Sequence, residues 1–134
     1  MTDRLSMEEV LDRDRGILEH FGMQVLTLGA GTCELQATVK PELINAAGFA
    51  HGGLMFAVAD SACAYATGSL GARGATISSG FNFCKAARAG MTIHCVAEVI
   101  SRSRRLVTLG ARLSDASDQQ LLAHGTFTFM LLTD

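Results

Sequence analysis

Charge is scarce in this sequence of 134 residues: Asp, Glu, Lys and Arg make up 18%, while 49% is apolar. Soluble domains usually carry about a quarter charged residues, so the apolar surplus implies burial of surface against another subunit. A net charge of −2 excludes a general nucleic-acid binder. No CxxC pair links Cys33, Cys63, Cys84 and Cys95; they sit in apolar or alternating stretches and read as reduced core thiols of a cytosolic protein. The first twenty residues mix acids and bases without an apolar signal region. No segment is apolar enough to span a bilayer once Asp60 and the glycines are counted, which excludes a membrane partner and gives a cytoplasmic expectation. No G-x-S-x-G elbow surrounds Ser61, and no glycine-rich loop of nucleotide-binding type is present. His20, His51, His94 and His124 do not stand at zinc-ligand spacing with the cysteines, so no metal is expected.

What is present reads as one domain, 1–134, long enough for a real core. Residues 7–21 form an amphipathic helical pattern, the main part of an N-terminal helical segment, 1–21, that stops at Gly22. Residues 23–28 and 32–39 flank Gly29-Ala30-Gly31 as a β-hairpin, with strict alternation from Cys33 to Val39. The sole proline, Pro41, opens a loop that ends at Gly52-Gly53. From Gly53 to about Leu70, Ala, Leu, Met and Val without proline predict a buried helix. Strand-like runs follow at 75–85, 91–101, 106–114 and 121–132. One long helix beside a meander of five to six antiparallel strands is an α+β plan, the helix wrapped by a curved sheet.

The chemistry concentrates at 45–60. A helix entered through Gly52-Gly53 offers unpaired N–H groups and the positive end of its macrodipole, and glycines let a ligand oxygen come close. Such an end can hold a developing oxyanion. Asp60, about two turns further on, is the only ionisable carboxylate or amine in that apolar helix, and a charge there needs a reason. The bland readings are a solvent-facing acid, a tight turn at the glycines, a capping His51 and a turn-holding Asn45.

The pattern Asn45-x5-His51-Gly52-Gly53-x6-Asp60, with Ala59-Asp60-Ser61-Ala62-Cys63-Ala64-Tyr65-Ala66 after it, resembles the hotdog-fold acyl-CoA thioesterases, specifically their phenylacetate-pathway branch. Weaker similarity runs from about Gly22 to Phe129. The resemblance implies a hotdog fold and hydrolysis of an acyl-CoA, of the aryl- or phenylacetyl-CoA kind in that branch, to free acid and coenzyme A. No cofactor is implied beyond the coenzyme A of the substrate. It makes Asp60 the catalytic carboxylate, as general base or as nucleophile, and Gly52 the donor to the thioester oxygen. His51 then orients the site and Asn45 contacts the thioester or the attacking water. Matching Phe81-Asn82-Phe83-Cys84-Lys85 to a family strand puts Thr76 where some members carry Ser or Thr beside the acid. Ala86 and Met91 depart from the proline and acidic residue usual in the next turn.

The same resemblance implies sites shared across a homodimer or homotetramer interface, Asn45, His51 and Gly52 from one subunit and Asp60 and Thr76 from its neighbour. An acyl pocket would draw on Leu54, Met55, Phe56, Tyr65 and Phe83, with Gly53 also at the substrate. Arg102, Arg104 and Arg105 read either as a solvated loop or as a clamp for coenzyme A phosphates, with Lys85 and Arg88 beside them. A non-catalytic acyl-CoA sensor of the same fold is the alternative; it would keep the apolar pocket and lack the acid.

Overall fold

A computed structural model of the protein describes residues 5–132. Two short helices, α1 (Met7–Arg13) and α2 (Arg15–His20), stand where the apolar pattern predicts one. Ser6 and Glu9 cap α1 reciprocally. The break falls at Asp14, whose carboxylate accepts a 2.8 Å hydrogen bond from the hydroxyl of Tyr65. That partner lies 51 positions away, out of reach of any local periodicity.

The expected hairpin is β1 (Met23–Gly29) and β2 (Thr32–Thr38). Ala30 and Gly31, with φ of 53° and 80°, form the two-residue turn between them. The buried helix follows as α3 (Gly52–Gly68), starting one residue and ending about two residues earlier than the sequence pattern, and spans about 25 Å. After it come β3 (Gly74–Phe83), β4 (Thr92–Arg102), β5 (Leu106–Asp115) and β6 (Leu121–Leu131). All six strands join one antiparallel sheet in the order β1-β2-β4-β5-β6-β3. This is not a plain meander, because β3 crosses to the far edge and pairs with β6 alone. The sheet wraps α3, as the hotdog fold requires.

The register puts Leu35, Cys95, Leu113 and Ala123 side by side across four strands, every one fully buried against the helix. Each large side chain so removed from water is worth roughly 1.5–3 kcal/mol. The row ends at Phe83 on β3, which is 59% exposed. Register shifts leave Leu26, Ile77 and Ile100 as extra residues in their strands, and all three are exposed apolar side chains. Such bulges break the two-residue alternation and help to curve the sheet. Of the four cysteines, Cys33, Cys63 and Cys95 lie in the core as expected. Cys84 does not: it follows the last residue of β3 and is exposed. Burial, helped by the Glu34 charge, pushes the Cys33 thiol up to about 12. Burial first and the Asp60 charge second raise Cys63, so the buried thiols stay protonated. Among the described residues no helix is long and apolar enough to cross a membrane.

Candidate functional site

The N-terminus of α3 is built by its own neighbours in sequence. His51 is the N-cap, and its Nδ1 accepts a 2.8 Å hydrogen bond from the Gly53 N–H. An accepting Nδ1 leaves the imidazole proton on Nε2, on an exposed side chain. Leu54 N–H donates to the His51 carbonyl at 2.9 Å. Among the described residues nothing accepts from the N–H of Gly52, so one of the two glycines presents a free donor and the other does not. Gly53 contributes by lacking a side chain, since a Cβ there would meet His51 Nδ1 at 2.9 Å. Asn45 folds its own loop: its Oδ1 accepts from the N–H groups of Ala47 and Phe49 at 3.0 and 3.1 Å. The Nδ2 amide of this exposed residue has no acceptor among the described residues. Ala50 N–H donates to the Ala87 carbonyl, tying this loop to the one after β3, and Arg88 lies 5.8 Å over the Phe49 ring.

Beyond the cap, one row of residues four apart runs along α3: Gly52, Phe56, Asp60, Ala64 and Gly68. Most of the helix is buried, yet none of these five is. Their neighbours are on β3 and, further along, on α1. A Cβ on Gly52 would lie 3.5 Å from the Phe83 ring. Phe56 meets Phe81 edge-on at 5.8 Å. Asp60 Oδ1 accepts a 2.7 Å hydrogen bond from Thr76 Oγ1. Thr76 pairs with Phe129, which is buried, so the threonine faces the helix; the bulged Ile77 follows it. This brings together two residues 16 apart that the resemblance couples.

Asp60 stands eight residues after Gly52, about 12 Å along the helix axis. Direct attack by that carboxylate on a carbonyl held by that donor would have to bridge most of this distance.

The apolar surroundings differ from the expected pocket. Leu54 and Met55 are buried in the core and do not reach the site. Phe56 and Phe83 do, and they join Phe81 and Phe127 in a cluster with ring centroids 5.1–5.9 Å apart. The sequence places Phe81 only in the matched segment 81–85 and Phe127 only in the strand-like run 121–132, neither as a pocket residue. Tyr65 faces another way, toward Asp14 and a separate cleft beside α1.

The cationic residues also divide. Lys85 follows β3 at the Gly52 end, and its Nζ donates to Gln120 Oε1. Arg102, Arg104 and Arg105 are exposed around the β4–β5 turn. This turn lies at the opposite end of the sheet, where the Arg105 carbonyl accepts from Leu131 N–H and Leu131 pairs with Gly74. None of the three makes an ion pair among the described residues. Among the described residues no three His, Cys, Asp or Glu side chains gather as a metal site.

A family model described as the thioesterase superfamily matches residues 47–122. The chain is similar to an asparagine-to-aspartate variant of the phenylacetic acid degradation protein of Thermus thermophilus. The two are 28% identical over 87% of this chain and 99% of that one, with a TM-score of 0.82. The corresponding protein of the Escherichia coli phenylacetic acid degradation operon is 20% identical, over 92% and 94%, with a TM-score of 0.86. A hypothetical thioesterase of Streptococcus pneumoniae, solved with coenzyme A, is 21% identical over 84% and 90%, with a TM-score of 0.80. That pneumococcal protein has also been solved with an aspartate and with a threonine replaced by alanine, at positions sixteen residues apart.

Proposed function

This chain belongs to the thioesterase superfamily, and on that premise we propose that it hydrolyses acyl-CoA esters, R–CO–S–CoA, with water to a carboxylic acid and free coenzyme A. The observation that carries this reading is the free N–H of Gly52 at the positive end of α3. In the reaction Gly52 donates to the thioester oxygen and holds the charge that develops on it. His51 fixes the helix entry that aims this donor, and the amide of Asn45 reaches the thioester or the attacking water. Asp60, held by Thr76, drives attack on the carbonyl carbon, directly or through water, and the sulfur leaves as the thiol of coenzyme A. The aspartate and threonine replaced in the pneumococcal protein have the spacing of Asp60 and Thr76, which supports this assignment.

In this proposal Gly52 of one subunit faces Asp60 of the next, and the roughly 12 Å between the two within one chain supports it. The exposed edge strand β3, with Ile77 and Phe83 uncovered, supports a homodimer at least, and pairing of dimers makes a homotetramer. In this proposal the whole chain, 1–134, works as one thioesterase domain in the cytoplasm, where coenzyme A esters are available and free thiols persist. No cofactor or metal takes part.

The substrate we propose is an aryl- or phenylacetyl-CoA. Similarity to the Thermus thermophilus phenylacetic acid degradation protein and the four-phenylalanine cluster support it. The test is thiol release from a panel of esters, from acetyl- to palmitoyl-CoA with benzoyl- and phenylacetyl-CoA. Turnover of aryl esters above the straight-chain ones is expected; binding of every ester without thiol release would leave a sensor.

A further inference from the structure

The row on α3 continues past Asp60 to Ala64 and Gly68, and there it borders a cleft of about 510 Å³. Met7 and Val10 of α1, Ala72 and Leu132 supply most of its other apolar walls, and the Tyr65–Asp14 hydrogen bond lies in its lining. The volume falls within the roughly 300–1,000 Å³ of small-molecule sites. The Met7 side chain lies directly over Gly68: a Cβ there would meet its sulfur at 2.5 Å. The bond between Tyr65 and Asp14 latches the α1–α2 junction to α3.

Two continuities connect the cleft with the reacting group. Ala64 lies one turn beyond Asp60 on the same side of the helix, about 5–6 Å between Cβ atoms. Gly74, also in the lining, is two residues before Thr76 on β3. We infer that this cleft receives the apolar part of the acyl group whose carbonyl reacts beside Asp60, with α1 as one wall. The inference rests on the thioesterase reading and adds the subsite. Nothing in the lining is positively charged except Arg73, which suits an uncharged alkyl or aryl tail rather than the nucleotide end of coenzyme A. A short acyl group would leave the cleft unfilled and use little of its apolar wall.

Two substitutions of opposite sense test this, each on the full chain with assembly checked by light scattering. Ala64→Leu fills the start of the cleft, and the ratio of kcat/KM for octanoyl-CoA to that for acetyl-CoA should fall at least about tenfold, the effect of a methylene or more in an apolar pocket. Met7→Ala enlarges it, and the preference should move several-fold toward dodecanoyl-CoA. An unchanged ratio in both variants, or an equal loss on long and short esters, overturns the subsite while leaving the thioesterase reading intact. Failure of the unaltered protein to release thiol from any ester overturns both.

Discussion

The start and the middle of the Gly52–Gly68 row are held in place by different means. At the helix N-terminus the side-chain hydrogen bonds are short in sequence: His51 caps Gly53, and Asn45 holds Ala47 and Phe49, while Ala50 and Phe49 are tied to Ala87 and Arg88 further on. In mid-helix, Asp60 is held by Thr76, a residue from another element across a loop and a strand edge. The first half is a pre-formed set of donors that a peptide of this sequence could begin to assemble. The second exists only when helix and sheet are packed, and it sits where the protein exposes an unpaired strand edge. Donor and carboxylate are thus positioned by separate means, and the proposed dimer would join one unit of each chain to the other unit of a second.

The sharpest way to break this comparison is to remove each half alone. Asp60→Asn keeps the shape and removes the charge, and kcat should fall by about a hundred- to ten-thousand-fold, as for a positioned acid–base group. Gly52→Pro is the matching change in the other half. Position 52 is the first residue of α3, where proline is accepted, and His51 before it already has φ −59° and ψ 138°, which proline favours. The variant deletes the N–H and adds a ring whose Cβ makes ordinary contact with Phe83 at 3.5 Å, so circular dichroism should be unchanged while kcat drops about a hundred- to thousand-fold, the loss for one oxyanion donor. Native turnover in either variant removes its residue from the mechanism.

Thr76→Val asks whether the carboxylate needs its partner. Losing a hydrogen bond to a charged group costs about 1.5–3 kcal/mol, so a fall of roughly ten- to a hundredfold in kcat is expected. A kcat equal to that of the unaltered protein would make the threonine an ordinary strand residue. Mixing the two inactive proteins, Asp60→Asn with Gly52→Pro, comes next. Random pairing in a two-fold dimer leaves one intact site in each hybrid, so activity should return to about a quarter of the unmixed, unaltered protein. Recovery near zero after subunit exchange would mean that both halves act within one chain. The smallest effect belongs to the rim: replacing Arg102, Arg104 and Arg105 by Gln should raise KM a few-fold with kcat preserved, the pattern of lost uniform binding. An N-acetylcysteamine thioester, which has no nucleotide, should show no such change.

The local half was also the legible one. The Asn45, His51, Gly52 and Asp60 spacing marks the helix entry, and the cap geometry follows from residues within two to four positions of one another. Strand positions came out within a residue or two, because inward side chains alternate along β2, β4 and β5. What sequence could not give is what depends on distant partners. The split at Asp14 needs Tyr65; the place of β3 at the far edge needs the whole sheet; the bulge at Ile77 needs β6 opposite. Leu54 and Met55 look like pocket residues beside the glycines, yet the turn of the helix sends them inward. Cys84 reads as a core thiol among apolar neighbours, but it follows an edge strand that buries little on either side.

That last residue gives the protein a built-in attachment point. Three thiols are sealed in the core and kept protonated, while Cys84 is open to solvent next to Phe83, whose ring lies against Gly52. A maleimide dye or nitroxide added to the unaltered protein therefore reacts at one position per chain, without engineering a cysteine-free background. Paired electron-spin distances between such labels, or energy transfer between donor- and acceptor-labelled pools, then count the chains in the assembly and follow their exchange in real time.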